Sequence, residues 1–345
     1  MKDMNTQKHR VNLHSENKLK NTNNKSQVLT EVEYSVVIPV YNSEDTLQEL
    51  YNRLDDVFKL INGSYEIIFV DDSSVDHSWE VLKGLAKKHH EVKIIQLMRN
   101  YGQHNALMCG FNYVSGRHII TLDDDLQNPP EEIPKLINKI DEGLDVVYGI
   151  YESKKHNWFR NLGSKLIGLF YRKIYKLDNK TSAFRILNKE IIEYLITYDK
   201  NFTFIDGLIP WYSSKIGFVI TKHDMRKTGS SGYSFLKLVH LALNMYTNFS
   251  ILPLRVASIL GVIFSSIGFF LGFYFIIKKV IGGVGVSGFT SLIVSVTIFS
   301  GVQLLTLGIL GEYIGRIALN INKLPQFKIR NSEGFLNNLE SNFNY

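Results

Sequence analysis

One cysteine, Cys109, stands in 345 residues, so an intramolecular disulfide framework is excluded and the fold must be held by its core. It lies in the apolar stretch ALMCGF, where a small buried thiol is the ordinary expectation. There is no Cys or His cluster at zinc spacing, no Gly-Lys-Ser/Thr phosphate loop and no G-x-G-x-x-G after a strand pattern. A structural zinc site, a P-loop and a Rossmann dinucleotide site are therefore disfavoured. The first thirty residues are almost wholly polar, with no apolar period and no apolar core of a secretory signal. A disordered tail over residues 1–33 is expected, with the following domain kept in the cytoplasm. Acid is missing from residues 153–177, which carry Lys154, Lys155, Arg160, Lys165, Arg172, Lys173 and Lys176. Such a block suits an anionic surface or a phosphorylated ligand.

What the chain has in excess is apolar length near its C-terminal end. Residues 253–277 hold one charge, Arg255, and residues 289–314 are uncharged until Glu312. At about 1.5 Å per residue each run crosses a hydrocarbon core of roughly 30 Å, and neither has a polar face. Two membrane-spanning helices joined by a short loop are expected, with both flanks on one side of a bilayer. Arg255, Arg316, Lys323, Lys328 and Arg330 in the flanks favour the cytoplasm, against Lys278 and Lys279 in the loop. A lipid bilayer beside a basic block argues for phosphorylated lipid, not nucleic acid, as the partner. Gly261, Gly268 and Gly272 allow close helix contact, and with it a homo-oligomer.

Residues 34–150 alternate apolar runs (YSVVIPV, YEIIFV, VKIIQLM, HIITL, DVVYGI) with helical patterns over residues 45–60, 78–89 and 104–115. This is the pattern of an α/β fold with a mainly parallel sheet covered on both faces. Ligands of such sheets bind beyond the carboxyl ends of the strands. Three strand candidates end there in polar loops, PVYNSED, VDDSSVD and DDDLQNPP. The last sets Asp123, Asp124 and Asp125 side by side, an arrangement in which each charge raises the pKa of the others unless a cation joins them. Two carboxylates one residue apart suit Mg2+ or Mn2+, hard cations that choose oxygen ligands and share them with substrate phosphates.

The segments SVVIPVYNSEDTL, FVDDSSVD, RNYGQHNALMCGF and TLDDDLQNPPEEIPKLI, in that order, resemble the family 2 glycosyltransferases with the GT-A fold. WFRNLGSKL, TSAFRI, HDMRKTGSSGYSFLKL and LGILGEYIGRI extend the likeness to their polyprenyl-phosphate branch, which holds dolichyl-phosphate mannose synthases and bacterial undecaprenyl-phosphate glycosyltransferases. The resemblance implies a GT-A domain over residues 34–232, a juxtamembrane amphipathic helix over 233–252, two spans within 253–318 and a cytoplasmic tail over 319–345. It implies that Asp123 and Asp125, with Gln127, hold the metal and the donor diphosphate. Pro39, Tyr41 and Glu44, with Asp71 and Asp72, would contact the nucleotide. Arg160, Ser164 and Lys165 would take the acceptor phosphate, and Arg226 would close over the donor. Asp124 is expected to point away from the metal.

Departures from the family pattern are Gly232 in place of a lysine, Asn179 and Ala183 in place of Asp and Gly, and Tyr151 in place of a basic residue. They leave the reaction standing and the donor open. The implied reaction is inverting transfer of a sugar from a nucleotide-diphosphate sugar to a polyprenyl phosphate at the bacterial plasma membrane. Two alternatives stay open: transfer to a sugar hydroxyl, for which Asp206 is the candidate base, and a non-catalytic nucleotide-sugar-binding protein.

Overall fold

The computed structural model describes residues 32–151, 181–200, 203–224, 252–281, 288–322 and 325–335. Its first half repeats one local logic. Strand β1 (Tyr34–Val40) is buried at every position, as expected of a strand covered on both faces. Helix α1 (Leu47–Ile61) turns Leu47, Leu50, Tyr51, Leu54, Val57 and Phe58 inward at helical spacing and ends on Asn62, whose left-handed backbone brings its N–H to the Phe58 carbonyl. Strand β2 (Tyr65–Asp71), helix α2 (Ser78–Lys88), strand β3 (Val92–Leu97), helix α3 (Gln103–Phe111) and strand β4 (His118–Thr121) follow. A short helical turn at Pro130–Glu132 leads into α4 (Ile133–Ile140) and then β5 (Val146–Ile150).

After residue 180 come β6 (Arg185–Asn188), α5 (Lys189–Leu195), α6 (Ile205–Tyr212) and β7 (Ile216–Ile220). With β8 (Ile329–Glu333), the described strands form one sheet in the order β7-β5-β6-β4-β1-β2-β3-β8. Pairing is parallel from β4 through β3 and between β5 and β7, whereas β6 runs antiparallel between β4 and β5. Helices α1, α2 and α4 cover one face, and α3, α5 and α6 the other. Gly110 on α3 makes the close approach: a Cβ there would stand 2.4 Å from Val37 of β1.

Two helices, α7 (Leu252–Val280) and α8 (Phe289–Ile321), are long and apolar enough to cross a membrane. Only 6% and 0% of their most apolar windows is buried, so they are not core helices of the α/β unit. They touch through Phe264 and Phe299, edge to face at 6.5 Å. Within the tail expected over residues 319–345 no local pattern announces an element, yet strand β8 (Ile329–Glu333) pairs antiparallel with β3 at the sheet edge. The C-terminal segment is thus built into the sheet as far as Glu333.

Candidate active site

The loops after β1, β2 and β4 open at the same edge of the sheet and are laced together. Asn42 N–H donates to Ser74 Oγ at 3.0 Å, and Val75 N–H to Asn42 Oδ1 at 2.9 Å. Ser43 N–H donates to Ser78 Oγ at 2.9 Å, and Glu44 N–H to Asp76 at 3.2 Å. Among the described residues four non-glycine positions have positive φ, and three of them, Asn42, Ser73 and Leu126, lie in these loops. Backbone held in so sparse a region is concentrated where surrounding contacts over-determine it, as at binding sites.

Within the acidic triplet the middle residue has a different task from its neighbours. Asp124 Oδ2 accepts from Tyr41 N–H at 3.0 Å and from the Ser43 hydroxyl, and the Thr46 hydroxyl donates to the Asp124 carbonyl at 2.6 Å. Its carboxylate is committed to the β1 loop. Burial pushes it up to about 6, against the two hydrogen bonds that favour its charged form. Asp123 accepts from the Gln103 side-chain amide at the start of α3. Asp125 accepts from Gln127 N–H at 3.1 Å, across the strained Leu126. Gln127 O in turn accepts from Asp224 N–H at 2.9 Å, which brings the segment after β7 to this loop.

The pair at the end of β2 is held from β3 and the loop after it. Asp71 accepts from Ser74 N–H at 3.0 Å and from Gln96 Nε2 at 3.1 Å. Asp72 accepts from Tyr101 N–H and Gly102 N–H, each at 2.7 Å, and Gly102 supplies the positive φ of 90° that aims its amide there. Burial, with a smaller push from Asp71, raises Asp72 to about 6 despite both amides. Pro39 is buried within β1 opposite Val70, Tyr41 stands 48% exposed at the rim, and Glu44 accepts from His77 N–H at 2.7 Å. Tyr151 stacks on His223 with ring centres 4.3 Å apart. Arg160, Ser164, Lys165 and Arg226 lie outside the described residues, as do Asn179, Lys227 and Gly232.

Behind the rim is a buried polar group that sequence reasoning did not assemble. Asp206, at the start of α6, accepts from the Arg185 guanidinium and from the Tyr148 hydroxyl, the latter at 3.1 Å. Arg185 is 1% exposed and sits opposite Thr121, two residues before Asp123. Asp206 is therefore a structural acceptor that neutralises a buried arginine, not a carboxylate free to take a substrate proton. Ser43, Ser74, Ser78, Gln96 and Gln103 also went unnoticed. The one local cue was Gln103, a polar residue opening an apolar helix.

Among the described residues no three His, Cys, Asp or Glu side chains converge as a metal cage. The rim offers carboxylates in pairs, a donor set that suits a hard cation completed by ligand oxygens.

The model of the family described as Glycosyl transferase family 2 matches residues 35–195. The undecaprenyl-phosphate 4-deoxy-4-formamido-L-arabinose transferase of Enterobacter sp. (strain 638) is 38% identical over 305 residues, spanning 86% of this chain and 92% of the relative. The transferase of the same name from Proteus mirabilis (strain HI4320) is 37% identical over 87% and 94%. A glycosyltransferase of Synechocystis sp. is 34% identical over 86% and 95%. Among solved structures, glucosyl-3-phosphoglycerate synthase from Mycobacterium tuberculosis in complex with UDP aligns with 63% of this chain and 79% of that one, at 17% identity and a TM-score of 0.48. Identity of this level, carried across nearly the whole of each curated relative, shows that the chain is a glycosyltransferase and belongs to glycosyl transferase family 2.

Proposed function

We propose that the protein transfers one sugar, with inversion, from a nucleotide-diphosphate sugar to a polyprenyl phosphate, undecaprenyl phosphate in a bacterial membrane. The observation that carries this reading is the division of labour in the triplet. Asp124 is locked to the β1 loop, leaving Asp123 and Asp125 as the pair at the end of β4. Relatives over nearly the full chain bear names that specify undecaprenyl phosphate, which supports the acceptor.

Asp123 and Asp125, with Gln127, would hold Mg2+ or Mn2+, which when bound would offset negative charge on the departing diphosphate. Asp71 and Asp72, held by Gln96, Tyr101 and Gly102, would take the base and ribose, with Pro39, Tyr41 and Glu44 shaping the same pocket. Arg160, Ser164 and Lys165 would grip the acceptor phosphate, and Arg226 the donor. A phosphate monoester is already anionic near neutral pH, so its oxygen attacks the anomeric carbon without a general base, and the protein's share is positioning and electrostatics. The engagement of Asp206 with Arg185 and Tyr148 favours this acceptor over a sugar hydroxyl, which would need a base. The exposed helices α7 and α8 would span the plasma membrane, with the basic flanks and the sheet on its cytoplasmic side.

Detergent-solubilised protein with Mg2+ or Mn2+, undecaprenyl phosphate and labelled UDP-, GDP- and dTDP-sugars tests the reading. Metal-dependent, EDTA-sensitive movement of label into the organic phase is expected from one donor class. A blank panel with nucleotide binding intact would turn the acceptor to a glycan hydroxyl.

A further inference from the structure

The strand that returns from the second long helix lies against the candidate nucleotide site. Helix α8 ends at Ile321 and β8 begins at Ile329, and the segment between is pinned by Gln326, whose side-chain amide donates to the Tyr198 and Lys200 carbonyls, both at 2.8 Å. In β8 the register sets Asn331 opposite Gln96, and on the other side of β3 Gln96 is itself opposite Asp71 of β2. The three residues form one row across three strands, where opposed side chains meet. Side-chain bonds run along it: Asn331 Nδ2 donates to Gln96 Oε1 at 2.9 Å, and Gln96 Nε2 donates to Asp71 Oδ2 at 3.1 Å.

That polarity matters. An amide side chain can present oxygen or nitrogen to a carboxylate, and only nitrogen is attractive. Asn331, by donating to the oxygen of Gln96, turns the nitrogen toward Asp71.

The same strand also reaches the loop that holds Asp72. The register shifts at Gln96/Leu97, a bulge of the kind that re-aims side chains beside sites. Around it Met98 N–H donates to the Lys328 carbonyl at 2.8 Å and Arg330 donates to the Met98 carbonyl at 2.9 Å. Met98 opens the loop whose Tyr101 and Gly102 amides bind Asp72 and whose Gln103 binds Asp123.

We infer that β8 completes the nucleotide site from beyond the second apolar helix, with Asn331 a positioning residue that acts on the nucleotide through Gln96 and Asp71. The inference rests on the proposed role of Asp71 as a nucleotide contact. It makes the segment that follows the membrane hairpin part of donor recognition.

The test uses the full-length protein in detergent, with affinities for UDP, GDP and dTDP measured calorimetrically and transfer to undecaprenyl phosphate measured in parallel. Asn331→Ala should raise KM for the donor and Kd for the bound nucleotide about 3- to 10-fold, leaving kcat and the KM for undecaprenyl phosphate within about 2-fold. Asn331→Asp, which rewards the flipped Gln96 amide, should weaken binding more than Asn331→Ala. Once Gln96 is replaced by Ala, Asn331→Ala should add nothing further, because the row is already cut. Glu333→Ala, in the same strand and outside the row, is the control for general damage to β8 and should bind normally.

Wild-type affinity in Asn331→Ala would overturn the inference and leave the glycosyltransferase reading intact. So would losses that add independently with Gln96→Ala, or equal losses in Glu333→Ala. If the wild-type protein itself bound none of the three nucleotides, the proposed role of Asp71 would fall first and this inference with it.

Discussion

At the amino end of β2, Glu66 is 2% exposed and takes donors from the Ser35 hydroxyl, from Ser115 N–H and from the ammonium of Lys93; at the carboxyl end, Asp72 is 3% exposed and has two backbone amides and, among the described residues, no cation. Asp124, on the neighbouring loop, is likewise held by an amide and a hydroxyl. A buried carboxylate that meets its own lysine is finished as a structural element. One stabilised by neutral dipoles keeps a local excess of negative charge, and burial pushes both Asp72 and Asp124 up to about 6. One strand thus carries a closed electrostatic account at one end and an open one at the other. The open end is where a positively charged or hydrogen-bond-donating ligand would stabilise the protein on binding.

The sharpest way to break this comparison is to neutralise one carboxylate at each edge of the sheet, Asp125 in the loop after β4 and Glu66 at the amino end of β2. Asp125→Asn should lower sugar transfer by roughly 10²- to 10³-fold, the scale of losing one electrostatic contact to developing charge, with the melting temperature in detergent nearly unchanged. Glu66→Gln should do the reverse. It leaves the Lys93 ammonium, 20% exposed, without its partner, so stability should fall by about 3 kcal/mol while kcat per folded molecule holds. Loss of turnover in the Glu66 variant at full folding, or of folding in the Asp125 variant, would erase the distinction between the two ends.

Which parts of this arrangement were legible in the sequence follows from the range of the contacts. Strand β1 announces itself as an apolar run buried on both faces, and α1 because its apolar residues repeat at helical spacing. The polar loops at the strand ends were legible for the same reason, as interruptions of that pattern. Strand β6 was not: Arg185–Asn188 is four residues long and begins with a charge that the distant Asp206 neutralises. Strand β8, IRNSE, has a single apolar residue and takes its register from β3, more than 200 positions earlier. No local period records a pairing of that kind. The Gln96 and Asn331 amides are invisible for the same reason, since each is ordinary alone and informative only in register.

Acidity gives a finer probe of the open end. Asp72 is raised to about 6 against an ordinary value of 3.8. The folded protein therefore holds a proton that the unfolded chain has released. Its contribution is fully present below pH 4 and is lost as pH rises through about 6, by at most about 3 kcal/mol. Thermal unfolding of the ligand-free protein should show this as a difference between wild type and Asp72→Asn that grows from pH 4 to pH 6 and is flat above. A difference independent of pH would mean that Asp72 is as closed as Glu66.

His104, one residue after the Gln103 that binds Asp123, tests the same idea with the opposite sign. Its Nδ1 is buried without a hydrogen-bond partner, its ring stands edge-on to Phe204 with centres 5.2 Å apart, and burial lowers it to about 4. Here the unfolded chain takes up the proton first. The stabilising contribution is present above about pH 6.5 and is lost as pH falls toward 4, by about 3 kcal/mol. His104→Leu keeps the contact with Phe204 and removes the titration, leaving the Asp72 contribution uncompensated, so its melting temperature should rise relative to that of the wild type as pH falls from 6.5 to 4. Because Asp72 and His104 titrate in opposite senses over overlapping ranges, the wild-type profile should look flatter than that of either variant. A wild-type slope steeper than both would mean that the two titrations do not oppose one another.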